Sequence, residues 1–293
     1  MKKTIFTLAT VLLLFASCDR VRQYLGKAKD AKGTKEIVTQ TKEKDKDRQA
    51  SLQFEHLTYF SPDSMVSISA DVPAVVGTPL ADSIMAYVGE TFEAFATIYA
   101  ESHDARKAFQ YAGEGIHNQM TTEITEAKAE YSEEDLRDME WMFHWTNEIN
   151  LQKEYDCEHY ITYVNVGDNY TGGAHGYHWV LGTTFNKETG KRIGKEILKN
   201  TNSQAFRTMF QKELLDYFTE SDGENASDDL KEYLLIDIND LQISNMRITD
   251  KHFVFQYQPY EIACYAAGMP IVILPFDKMK PYLTAEGLGL IGE

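Results

Sequence analysis

The sequence predicts an α+β fold in which antiparallel sheets pack against amphipathic helices. Three segments with a period of two follow one another between Met142 and Phe185, as expected for neighbouring antiparallel strands. Two segments with apolar residues three or four positions apart, at 79–99 and 203–218, are typical of helices with one buried face. The composition is sufficient for a hydrophobic core, because 43% of the 293 residues are hydrophobic and 12% are aromatic.

The first 18 residues predict a bacterial lipoprotein signal peptide. Lys2 and Lys3 precede an apolar stretch, Ile5–Phe15, and the small residues Ala16 and Ser17 stand directly before Cys18. We expect Cys18 to be lipidated and to anchor the mature protein to a membrane. An ordinary secretory signal with a chance cysteine is the alternative. No later segment has the roughly 18 uninterrupted apolar residues of a transmembrane helix.

Residues 19–50 are predicted to form a charged flexible tether. They carry ten basic and six acidic residues and almost no large apolar ones, so they cannot bury enough surface to offset the entropy of ordering. The whole chain carries −16 and its first 50 residues carry +6, which leaves −22 on residues 51–293. This charge disfavours a nucleic-acid partner and permits a cationic one. A solvated acidic surface on an exported protein would explain the charge equally well.

Residues 51–168 are predicted to be an N-terminal subdomain that opens with a hairpin of strands at Leu52–Phe60 and Met65–Pro73. Thr78 and Pro79 mark the start of a helix that we expect to reach Tyr99.

A second helical stretch begins near Asp104, and we expect it to break near Gly113–Gly115. Ser132 opens a capping box with three acids behind it, which are favourable at a helix N-terminus. Strands are then predicted at Met142–Gln152 and His159–Val166, with Gly167–Asn169 as a turn.

Residues 169–293 are predicted to be a second subdomain, closely associated with the first. A Gly-rich loop with two histidines leads into a strand at Tyr177–Phe185, and an amphipathic helix follows at Ser203–Phe218. Beyond the acidic loop at 220–229, the pattern predicts a hairpin of Leu241–Ile248 with His252–Tyr257, a compact loop at 259–268 and a last strand at 269–276.

Two segments of the second subdomain together carry a resemblance. One is Gly172–His175 with its aromatic strand and the turn Asn186–Lys191, and the other is Pro259–Gly268 with the aliphatic strand that ends at Pro275-Phe276. At this spacing, with an amphipathic helix between them, they resemble the C-terminal domain of RsiV-like proteins. The portion from Leu52 to Val166 looks like the accompanying PdaC-type N-terminal domain.

The resemblance implies two closely packed α+β parts on the outer side of a membrane. It also implies a link to lysozyme, which the extracytoplasmic domain of the RsiV anti-sigma factor binds, or to polysaccharide deacetylases, which the PdaC module precedes. Without a transmembrane helix or a further domain after Leu283, we expect neither anti-sigma nor deacetylase activity here. Cys264 stands where the family commonly has proline.

The two motifs supply the candidate binding surface, and no catalytic residue is predicted. On an extended segment His175 and His178 would face opposite sides, so a shared metal site is not expected. For His175 we favour a structural role, in which a ring nitrogen satisfies backbone groups of the loop. The aromatics are more often core residues than a ligand platform, but exposed ones could stack on a sugar or anchor a protein partner. No cofactor is predicted. The candidate residues are Tyr170, His175, Tyr177, His178, Tyr260 and Tyr265.

The sequence contains no Gly-x-Ser-x-Gly nucleophile elbow and no calcium-loop spacing. Paired carboxylates of the kind used in glycoside hydrolysis occur in any chain with 45 acidic residues, so their presence does not indicate an enzyme. Cys157 and Cys264 could pair in an oxidising compartment, but two separate buried thiols are the expectation we prefer.

The sequence therefore favours a lipid-anchored, periplasmic or cell-surface binding module that recognises a cationic lysozyme-type protein or a cell-wall glycan. An enzyme that modifies peptidoglycan or another polysaccharide, an accessory domain of such an enzyme, and a structural envelope lipoprotein remain as alternatives.

Overall fold

The computed structural model describes residues 52–223 and 226–293. The predictions for the signal, Cys18 and the tether lie outside these residues. The described chain forms a mixed α+β fold with seven α-helices, a six-stranded sheet and a three-stranded antiparallel sheet, which confirms the predicted fold class. None of the helices in the two described ranges is long and apolar enough to cross a membrane.

The six-stranded sheet takes its strands in sequence order. All neighbours pair antiparallel except β2 and β3, which are parallel because the helices between them return the chain to the same end of the sheet. The strands are β1 (Phe54–Phe60), β2 (Val66–Pro73), β3 (Thr146–Asp156), β4 (Tyr160–Tyr170), β5 (Tyr177–Asn186) and β6 (Arg192–Ile193).

The predicted turn at Gly167–Asn169 is wrong, because β4 continues through it to Tyr170. Asp168 pairs with Glu148 on one side and with His178 on the other, so two neighbouring strands hold these residues extended. The predicted subdomain boundary at residue 168 falls inside this strand.

Four helices connect β2 to β3. They are α1 (Pro79–Thr91), α2 (Phe95–Ser102), α3 (Ala105–Lys128) and α4 (Glu133–Asp138). The predicted single helix from Pro79 to Tyr99 is two helices. The backbone is extended at Phe92, where α1 ends, and this change of direction places the side chains of both Phe92 and Phe95 in the core. The predicted break at Gly113–Gly115 is also wrong, because α3 is continuous and Gly113 faces the ring of Tyr59 on β1.

One face of the six-stranded sheet packs against these helices. Alternate strand residues such as Ile68, Leu151, Tyr163 and Phe185 lie fully buried there. The opposite face is covered over β4 and β5 by the second part of the chain, where Met269 packs against valines of both strands.

The second part is built on the sheet β7 (Met246–Ile248), β8 (His252–Gln256) and β9 (Ile271–Pro275). Its helices are α5 (Gln204–Asp222), α6 (Phe276–Met279) and α7 (Ala285–Leu290). The predicted strand at Leu241–Ile248 begins five residues too early, because a short 3-10 helix at Ile238–Asp240 leads into irregular chain before Met246.

The two sheets are joined by buried polar contacts. Arg247 on β7 is 2% exposed and donates to Glu154 on β3, with Nε and Oε2 2.8 Å apart. The Arg247 side chain lies against Gly182, at a point where β5 has no Cβ.

Both described cysteines are free thiols, Cys157 being partly buried and Cys264 exposed. The expected burial of Cys264 is therefore wrong. This residue stands at the surface, immediately before the 3-10 turn Tyr265–Ala267.

Candidate functional site

The Gly-rich loop between β4 and β5 folds back over the end of the sheet. Gly172 and Gly173 have φ of 90° and 89°, values that side chains other than glycine rarely adopt. The Tyr170 hydroxyl donates to the carbonyl oxygen of Gly173 at 3.1 Å and fixes this turn.

A second loop, which leads from β8 to β9, is held over the same end of the sheet. The Gln258 side chain exchanges two hydrogen bonds with the backbone of Val180, accepting from its N–H at 3.1 Å and donating to its carbonyl at 2.9 Å. Tyr260 then adopts a left-handed φ of 65°, which is uncommon for an aromatic residue.

The two loops meet at Tyr265. Its hydroxyl lies 2.7 Å from Nε2 of His178 and 2.9 Å from the carbonyl oxygen of Gly176. The His175 ring stacks on the Tyr265 ring with centroids 3.9 Å apart, and the Tyr260 hydroxyl reaches Nε2 of His175 at 3.4 Å. The expectation that the two histidines face opposite sides is thus not met, because the glycines turn the loop back.

The pair His178–Asp168 continues this network into the sheet. Nδ1 of His178 donates to Oδ2 of Asp168 at 2.8 Å, and Nδ1 of His175 donates to the Gly176 carbonyl at 2.8 Å. The Tyr265 hydroxyl donates to the Gly176 carbonyl and also contacts His178, so one chain of contacts connects Asp168 on β4 to both loops.

Four of the six predicted residues thus converge in space: His175, His178, Tyr260 and Tyr265. Tyr170 braces the loop, and Tyr177 lies on the opposite face of β5, stacked on Trp179. Tyr260 is 53% exposed and His175 is exposed as well, while Tyr265 and His178 are partly buried. The result is an exposed aromatic surface on a rigid, hydrogen-bonded support.

Sequence reasoning missed a row of side chains that extends from this site across the open face of the sheet. Successive register partners on β1 to β5 form the row, which consists of Phe60, Ser67, Glu148, Asp168 and His178. Burial alternates clearly along β2, where it was the available signal, but not along β4, whose first six residues are all buried. Among the described residues, no group of three His, Cys, Asp or Glu could hold a metal ion.

Comparisons with known proteins concern the fold. Residues 191–277 match a family model described as a protein of unknown function (DUF3298), so this part of the chain is similar to a DUF3298 domain. A DUF3298 family member from Bacteroides fragilis has a similar structure, with a TM-score of 0.65, 16% identity, and coverage of 82% of this chain and 96% of that one.

A DUF3298 family protein from Pseudomonas aeruginosa PAO1 matches with a TM-score of 0.48 and 14% identity, over 80% of this chain and 95% of that one. A search of curated proteins gave no match.

Proposed function

We propose that the chain is a lipid-anchored binding module of the bacterial cell envelope, and that its partner is a cationic protein of the lysozyme type. The observation that carries this proposal is the meeting of the two loops at Tyr265. Residues more than 80 positions apart in the sequence are brought together there, with Tyr260 exposed at the surface.

The geometry of this surface suits protein recognition. Tyrosine supplies a large contact area with few rotatable bonds and is enriched among the residues that dominate binding energy. The bonds from Gln258 and Tyr265 fix the loops before a partner arrives, which lowers the entropy lost on binding. The charge of −22 on residues 51–293 would attract a cationic partner and accelerate the encounter.

The envelope part of the proposal depends on Cys18. In the native host, the chain should incorporate labelled palmitate and remain with the membrane fraction, whereas Cys18→Ser should lose the label and the membrane association. Cys264→Ser is the matched control, because this exposed thiol should be irrelevant to anchoring. Label retained in Cys18→Ser would contradict lipidation at this position.

The partner can be tested by calorimetry with lysozyme and the full chain carrying Cys18→Ser. We expect binding at low salt that weakens at moderate salt, and a loss of about tenfold, or about 1.4 kcal/mol, in Tyr260→Ser. Tyr111→Ser is the control, since Tyr111 is 45% exposed on α3. No binding at low salt, or an equal loss in both variants, would refute the proposed partner.

A further inference from the structure

We propose that the open face of the six-stranded sheet is an elongated binding site for an oligosaccharide that carries free amino groups. This goes beyond the proposed function, because it concerns the sheet face beside the loop surface, which meets that surface at His178, and a different class of ligand. Either proposal can hold without the other.

The face is available to a ligand. Helices α1 to α3 pack on the other side of the sheet, and the second part of the chain covers this side only over β4 and β5. On β1 to β3 the residues that point to this side are exposed or partly exposed, including His56, Thr58 and Glu148.

The uncovered part of the face has the length for an extended ligand. From Phe60 to Asp168, whose side chain is 49% exposed, the row crosses four strands, which at about 4.8 Å between neighbours gives roughly 14 Å. His178 lies beyond it, against Tyr265. Next to this row lies a second row that begins with Thr58, Ser69 and Asn150. These side chains are short and polar, so they offer hydrogen bonds to a ligand that lies along the surface.

The chemistry of the floor suits a ligand rich in hydroxyl groups. Ser69 donates to Oδ1 of Asn150, and Nδ2 of Asn150 donates to Oε1 of Glu148 at 3.1 Å. Hydroxyl, amide and carboxylate groups that already hold one another in place can fix the orientation of a polar ligand.

Aromatic rings stand at both ends of the row. Phe60 is 69% exposed although it lies on a strand, and beyond His178 the row reaches Tyr265 and Tyr260. An exposed ring face is a weakly negative apolar platform, against which the C–H groups of a pyranose ring can pack.

The negative charge of the face favours sugars that carry positively charged amino groups. None of the register positions in the two rows is Lys or Arg, and His178 is paired with Asp168, whose side chain is 49% exposed. Glu148 is exposed and has no cationic neighbour in its row. A positively charged amino group on the ligand would be attracted here, whereas an N-acetyl group would gain nothing. A second copy of this acidic face would be repelled.

The test uses the full Cys18→Ser chain and three tetrasaccharides built from glucosamine, N-acetylglucosamine and glucose, titrated by calorimetry. We expect the glucosamine tetramer to bind at least tenfold more tightly than the other two, with a preference that shrinks as salt is added. Glu148→Gln should abolish the preference, and Phe60→Ser should weaken all saccharide binding several-fold. Glu101→Gln and Trp141→Ser change an exposed acid and an exposed aromatic elsewhere and should have no effect.

Absence of saccharide binding, or binding unchanged in both Glu148→Gln and Phe60→Ser, would overturn the inference. A third result would also overturn the inference: tetralysine binds, Glu148→Gln abolishes that binding, and no saccharide binds. The face would then be a general cation-binding surface. Thermal unfolding of each variant checks that the exposed substitutions leave the fold intact. Lysozyme binding is measured separately and through Tyr260, so failure of one proposal is distinguishable from failure of the other.

Discussion

Replacing Glu154 with glutamine should destabilise the protein more than replacing its partner Arg247 with methionine. The pair joins the two sheets, and the burial of its members is unequal: the Arg247 side chain is 2% exposed and that of Glu154 is 23% exposed. Removing one partner leaves the other charge where it stands. The cost therefore depends on whether the remaining charge can reach water.

Glu154→Gln leaves a guanidinium in the interior without a counter-charge, for which we expect the loss of about 3–5 kcal/mol that is typical of a broken buried pair. Arg247→Met leaves a carboxylate that can hydrate, and the methionine still packs against Gly182. It also removes Nη1 of Arg247, a buried donor without a hydrogen-bond partner among the described residues. We expect this variant to lose only about 1 kcal/mol.

Urea unfolding followed by tryptophan fluorescence and circular dichroism measures both variants. With an m-value of about 2–3 kcal/mol/M, Glu154→Gln should lower the midpoint by at least about 1 M and Arg247→Met by less than half of that. The double variant should recover most of the loss seen in Glu154→Gln. If Arg247→Met costs as much as Glu154→Gln, the reasoning from unequal burial is wrong.

Two further predictions concern the same interior. Gly182→Ala should cost about 1–3 kcal/mol in the same urea assay, because its methyl group would overlap the Arg247 side chain, and an unchanged midpoint would contradict this. Burial also raises the pKa of Tyr163 and of Tyr257 well above the ordinary value of 10.0. Above about pH 10 the unfolded chain loses these phenol protons while the folded chain keeps them, so the free energy of unfolding is unaffected below about pH 10 and falls as the pH rises above it. The phenolate absorbance of these two tyrosines should therefore appear together with the loss of circular dichroism. Full ionisation of all tyrosines in a folded chain would contradict it.

Local signals in the sequence located the helix starts correctly. Thr78 and Ser132 each accept a hydrogen bond from a backbone N–H in the first turn, as predicted, and Ser203 does the same at the start of α5. Asp104 caps α3 in the same way. A cap acts within four residues, so it can be recognised without knowledge of the rest of the fold.

The errors arose where distant contacts override a local preference. Gly167–Asn169 has the composition of a turn, but pairing with strands on both sides keeps it extended. Gly113 has the composition of a helix break, but the ring of Tyr59 needs the space that glycine leaves. In both cases the deciding partner comes from another segment of the chain, and a single sequence does not show that partner.

The same limit applies to the candidate site. The two loops were recognisable as motifs, but the contact of His178 with Tyr265 joins residues 87 positions apart and depends on how the sheets pack. The row on the open face was not recognised at all, since Phe60, Ser67 and Glu148 come from three strands and share a row only through their register.

That register is set on the other side of the sheet. Tyr163 and Phe185 are fully buried under the helices with their rings 6.2 Å apart, and they belong to the alternate positions that face away from Asp168 and His178. A shift of one residue in β4 or β5 would turn these rings away from the helices, towards the face that the second part of the chain covers, and would turn the Asp168–His178 pair into the helix-covered core. The lost packing of two large aromatic side chains and the cost of placing a polar pair among apolar groups both oppose such a shift. The apolar residues on one face therefore determine which polar groups the other face can offer to a ligand.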